Sequence, residues 1–162
     1  MNAPNKRPML RRTGWGDLAV PLLVVGITVY ALLKFSYDDL PPLRYALPVP
    51  IGVLAVAELV AARRVRMAVR HDPNAKPMAA IVIARCVALG KASALVGAGV
   101  VGAALGLFAR VLPEAGSVDA AAHDSRVGAV VLGVALLLTG AGLLLERAGV
   151  DPGNGRNPHD QA

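Results

Sequence analysis

The chain has 162 residues, of which 55% are apolar, 17% charged and 4% aromatic, with one cysteine, a net charge of +6 and a mean hydropathy of +0.53. A soluble domain carries about a quarter charged residues, disorder needs low hydrophobicity with high net charge, and one cysteine supports neither a disulfide framework nor a multi-thiolate metal site. What remains is a small integral membrane protein, an all-α bundle of four transmembrane helices between a basic tail at 1–16 and a tail at 148–162 that reads as disordered.

The first span is expected at 17–35. Its apolar run from Leu18 to Leu33 is just short of the roughly 20 residues that cross the hydrocarbon. Asp17, Lys34 and Phe35 extend it, because Lys snorkels and aromatic rings favour the interface. Pro21 reads as a first-turn proline, where the missing N–H costs little. The second span, 46–63, is preceded by Leu40-Pro41-Pro42-Leu43-Arg44-Tyr45, is started by Pro48 and Pro50, and holds one carboxylate, Glu58. The third, 78–109, is interrupted only by Arg85, Lys91 and Ser93. At 1.5 Å per residue it reaches about 48 Å, so its N-terminal part is expected to enter the headgroup region or to tilt. The fourth, 127–146, has Thr139 as its one polar residue before Glu146.

Basic residues sit beside these runs. Lys6, Arg7, Arg11 and Arg12 precede span one, and Arg63, Arg64, Arg66, Arg70 and Lys76 follow span two. The other two loops balance Lys34 and Arg44 with Asp38 and Asp39, and Arg110 and Arg126 with Glu114, Asp119 and Asp124. The positive-inside rule then places both termini, including Arg147 and Arg156, in the cytoplasm of a bacterial inner membrane. Arg63, Arg64, Arg66 and Arg70 suit anionic lipid headgroups. The absence of an aromatic residue among them argues against nucleic acid as a partner.

Among the intramembrane polar residues, Glu58 and Arg85 fall at similar depth on neighbouring antiparallel spans. An ion pair is expected, with Glu146 as a competing partner and the three as a cluster that holds helix register. Lys91 lies about 9 Å deeper than Arg85 and is turned about 120° from it. It either snorkels, bonds backbone carbonyls, Thr139 or the surroundings of Ser93, meets another subunit or lines a wet cavity. Gly90, Ala94, Ala98, Gly102 and Gly106 form a stripe at intervals of four, suited to close helix approach within the chain or to a homodimer. Gly128, Ala129 and Gly133 are the expected facing surface on span four.

Catalytic patterns fail. Gly90-Lys91-Ala92-Ser93 lacks the upstream glycine and strand of a phosphate loop, and Lys91 and Ser93, two apart on a helix, do not face each other. His71, His123 and His159 have no ligand-spaced partners, Asp119 and His123 read as a solvated contact, and Cys86 reads as a small hydrophobe. No enzyme, cofactor or metal site is expected.

Taken together, Leu40-Pro41-Pro42-Leu43, Ala57-Glu58, Val65-Arg66, Ala75-Lys76-Pro77, Ala84-Arg85, Ala88-Leu89-Gly90-Lys91-Ala92-Ser93-Ala94 and Leu145-Glu146-Arg147 resemble an uncharacterised family of small four-span membrane proteins of high-GC Gram-positive bacteria. The resemblance covers nearly the whole chain outside the tails, with Lys91-Ala92-Ser93 its most specific part. It departs at Gly90, where alanine is expected, and in having no proline-rich tail directly after Arg147. It implies the same four-span fold and frequent encoding near folate-biosynthesis genes, and it supplies no activity. The expected role is a non-enzymatic accessory or assembly subunit, in a homodimer or larger membrane complex. The alternative is a small ion-coupled or anion-binding transporter that uses Glu58 and Lys91.

Overall fold

A computed structural model describes residues 13–36, 46–70, 78–114 and 119–149. They form four helices: α1 (Trp15–Ser36), α2 (Pro48–Val69), α3 (Ala80–Val111) and α4 (Asp119–Ala148), with a 3₁₀ turn, Leu112–Glu114, closing α3. The Leu40–Tyr45 segment, His71, Lys76, and residues 1–12 and 150–162 with Lys6, Arg7, Arg11, Arg12, Arg156 and His159 lie outside the described residues.

Long apolar runs fold this way because, in hydrocarbon, every backbone N–H and C=O must find its partner within the segment. Three helices are long and apolar enough to cross a membrane: Trp15–Phe35, Ala80–Val111 and Ala121–Ala148. α2 equals α1 in length at 22 residues. It stands apart because Glu58, Arg63 and Arg64 fall within every eighteen-residue stretch of it.

Helix ends differ from the sequence expectation for local reasons. α1 begins at Trp15, where the Gly14 N–H donates to the Asp17 carboxylate at 3.0 Å and the Asp17 N–H to the Gly14 carbonyl at 3.1 Å. This acidic cap adds a turn, so Pro21 sits inside the helix and not in its first turn. Pro48 does start α2, which runs past Arg63 to Val69 and carries Arg63, Arg64 and Arg66 on its own surface rather than on a loop. α4 starts at Asp119, which makes Asp119, His123, Asp124 and Arg126 helical residues. Asp119 suits the first turn, where a carboxylate meets the positive end of the helix dipole.

The helices pack in the order α1, α3, α4, α2. α3 lies against both α1 and α4, α2 lies against α4 and touches α3 only lightly, and among the described residues α1 makes no close backbone approach to α2 or α4. The four therefore do not close into a ring. Half of α3's apolar stretch is buried, against 11% of α1's, so α3 is the central helix and α1 an outer one. Neighbours fix the directions. Gly102 and Gly106 of α3 meet Leu22 and Gly26 of α1, so those two run parallel. Gly90 meets Gly142 and Gly97 meets Ala135, so α3 and α4 are antiparallel. Gly52 touches Val134, and Ala62 and Val65 cluster with Leu145 and Ala148, so α2 parallels α4.

The small-residue stripe explains why α3 has two partners. Each step of four residues turns 40° past a full circle, so Gly90 to Gly106 winds through about 160°. No single helix can cover it. Gly90 and Ala94 face Gly142 on α4, Ala98 joins Leu18, and Gly102 and Gly106 face α1. All five are buried against α1 and α4 of the same chain. The facing surface also differs: Gly142 and Thr139 on α4 and Gly26 on α1 supply it, while Ala129 and Gly133 are exposed. Gly128 packs instead on Leu107 and Phe108.

Candidate functional site

Two threonine hydroxyls in the spans are satisfied locally. Thr28 Oγ1 donates to the Val24 carbonyl at 2.7 Å and Thr139 Oγ1 to the Ala135 carbonyl at 2.8 Å, the four-residue back-bond open to Thr in a helix. The acidic residues have no such option, and their placement sets the character of the interior.

Glu58 is 1% exposed, on the face of α2 that turns toward α4 and α3. The Ser93 hydroxyl of α3 faces it, yet among the described residues neither carboxylate oxygen is within hydrogen-bond geometry of a donor. Glu146, 5% exposed near the end of α4, accepts a 2.8 Å hydrogen bond from the Thr13 N–H at Oε1. Among the described residues its Oε2 and the Thr13 hydroxyl are buried without partners. Arg85 is exposed on α3. The expected Glu58–Arg85 ion pair is thus absent, and Glu146 takes a backbone donor from the segment entering α1 in place of Arg85. The reason is topological. α2 rests on α4, which directs Glu58 toward the α3–α4 seam, while Arg85 faces away from it.

Ser93 is buried and Lys91 half-buried, two residues apart on α3 and hence on different faces. Lys91 has a polar interaction of its own. Cys86 is half-buried beside the apolar cluster of Ala62, Val65, Leu145 and Ala148. No group of three His, Cys, Asp or Glu side chains among the described residues is placed to hold a metal ion.

The helix directions gather the end of α2, the start of α3 and the end of α4 on one side. Arg63, Arg64, Arg66, Arg70, Arg85 and Arg147 collect there, all exposed. Between α2 and α4 at this end lies a cavity of about 410 Å³, lined by Leu59, Arg63 and Arg66 from α2 and by Leu144 and Arg147 from α4, over Ala62 and Ala148. Arg64 and Arg70 do not line it. From the sequence alone, Arg63 and Arg66 read as part of a basic loop and Arg147 as part of a tail. The signal that joins them is a leucine one turn before an arginine on each helix, Leu59 before Arg63 and Leu144 before Arg147.

No curated protein and no solved structure matches the chain. A family match extends over residues 18–152, from the first buried leucine of α1 to beyond the end of α4. The chain belongs to the family described as protein of unknown function (DUF3180).

Proposed function

We infer that the chain is a non-enzymatic, four-span protein of the bacterial cell membrane, acting as an accessory or assembly subunit of a larger membrane complex. One observation carries this reading. Glu58, the acidic residue best placed for ion coupling, is 1% exposed in helix contacts, and the cavity at the α2–α4 end is lined by neither Glu58 nor Lys91. A carrier needs its charged groups on a path for water or substrate. An open row of helices, with broad apolar faces on α1 such as Val20, Val24 and Ile27, suits lateral helix association instead.

The alternating helix directions and the shared end of six arginines support α2 as the fourth span and that end as the cytoplasmic one, facing anionic headgroups. Nucleic acid is not proposed as a partner. The resemblance to proteins of high-GC Gram-positive bacteria encoded near folate-biosynthesis genes indicates where to seek the partner first.

A second reading, a small ion-coupled or anion-binding transporter, draws on the unpartnered Glu58 carboxylate. An unpaired intramembrane carboxylate is a functional hypothesis in its own right. Isolation in mild detergent with identification of co-purifying chains separates the two. The accessory reading expects a stoichiometric membrane partner, retained in a Glu58→Gln variant. The transporter reading expects the chain alone, with proton-coupled flux in vesicles that Glu58→Gln abolishes without loss of folding.

A further inference from the structure

Three arginines converge on the α2–α4 cavity with no acidic residue among those that line it. Arg63 and Arg66 are three apart, hence on one face of α2, and Arg147 reaches in from the last turn of α4. Among the described residues none of the three takes part in an ion pair. Guanidinium forks at such spacing match the oxygens of a phosphate. The cavity's volume, about 410 Å³, falls within the range of small-ligand sites.

Its other half is apolar. Leu59 and Leu144 are 39% and 46% exposed, and they lie about 6 Å and about 4.5 Å along their helices from the nearest arginine, on the side away from the helix end. The groove is therefore basic at its mouth and apolar toward the middle of the spans, over a floor of Ala62 and Ala148. A free anion has no use for the leucines, whereas a phospholipid has the same two-part chemistry in the same order along the membrane normal. We propose that Arg63, Arg66 and Arg147 bind the phosphate of one anionic phospholipid whose acyl chain lies along Leu59 and Leu144. The site rests on the membrane reading above and narrows it. Arg64 and Arg70, which belong to the same basic surface, stand outside the site, and Arg147, from the opposite helix, belongs to it.

The experiment uses the full chain in mild detergent, titrated with fluorescent phosphatidylglycerol and, separately, phosphatidylcholine. Phosphatidylglycerol binds at one site and phosphatidylcholine does not. Arg63→Gln, Arg66→Gln and Arg147→Gln each weaken binding about tenfold, the scale of one lost charge-assisted hydrogen bond, whereas Arg64→Gln and Arg70→Gln change it less than about twofold. Leu144→Asn also weakens binding, and inorganic phosphate does not displace the lipid. Equal losses at Arg64, Arg70 and Arg147 overturn the site in favour of diffuse attraction, and displacement by inorganic phosphate overturns the lipid in favour of a free anion. Failure of the broader reading looks different: the wild-type chain would be stripped from membranes by alkaline carbonate.

Discussion

On its α3 side, α4 lies backbone against backbone. A methyl added at Gly90 would stand 2.7 Å from the Gly142 carbonyl oxygen and 2.9 Å from the Glu146 nitrogen. On its α2 side the helices keep side chains between them, and a methyl at Gly52 would meet only the Val134 methyl at 3.6 Å. The arginines follow the second kind of contact: Arg63, Arg66 and Arg147 line the α2–α4 cavity, and Glu58 projects from α2 one turn deeper. The contrast separates two tasks. Glycine contacts hold α1, α3 and α4 as a core, and the wider seam of α2 has room for polar groups and for a ligand.

The largest expected effect breaks the tight seam. Gly90→Val forces its branched side chain into α4 backbone that cannot rotate away, and a loss of about 3 kcal/mol is expected, read as a lower thermal aggregation midpoint in detergent. A loss below about 1 kcal/mol would mean that α4 stands farther from α3 than described. Next is Glu146→Ala, which removes the acceptor of the Thr13 N–H and leaves that donor unpartnered. About 2 kcal/mol is expected, the scale of a hydrogen bond to a charged group, with faster proteolysis ahead of α1. Unchanged stability would remove Glu146 from the account of how α1 is anchored.

Glu58→Gln should act in the other direction. It keeps the shape and deletes a charge that has no cation beside it among the described residues and only the Ser93 hydroxyl facing it, so stability rises by up to about 1 kcal/mol. A fall of similar size would reveal a cationic partner and restore the ion-pair expectation. The smallest change is Gly52→Ala, which meets no backbone and gains up to about 0.5 kcal/mol from helix propensity. A clear loss there would show that the α2 seam is as tight as the other.

Much of the helical framework was legible because hydrocarbon enforces it. Runs such as Leu18 to Leu33 have one backbone solution, and Pro48 marks a helix start by its missing N–H. Extensions such as Asp119 to Arg126 were hidden because those residues are polar, and polarity alone does not separate a surface helix from a loop. The buried polar positions Glu58, Ser93 and Glu146 were found by their rarity in apolar runs, but their partners were not. Depth along an axis is readable from 1.5 Å per residue, whereas the choice of neighbour depends on which helix packs where. Adjacency of α2 to α4 rather than α3 is what separates Glu58 from Arg85. The stripe from Gly90 to Gly106 was visible as a spacing, and its division between two partners follows from the 40° advance per step. Arg147 was missed for the same reason as the ion pair failed, since only the α2–α4 contact brings it to Arg63 and Arg66.

The seating of Glu58 in a dry helix junction is the claim on which the rest turns. It can be tested with Glu58→Cys in a Cys86→Ser background, exposed in native membranes to a small water-soluble thiol reagent from each side in turn, with Arg66→Cys as the reference. The account predicts rapid labelling at position 66 from the cytoplasmic side and none at position 58 from either side. Labelling at 58 at a rate close to that at 66 would contradict it, and would place an aqueous path where the structure has helix contacts.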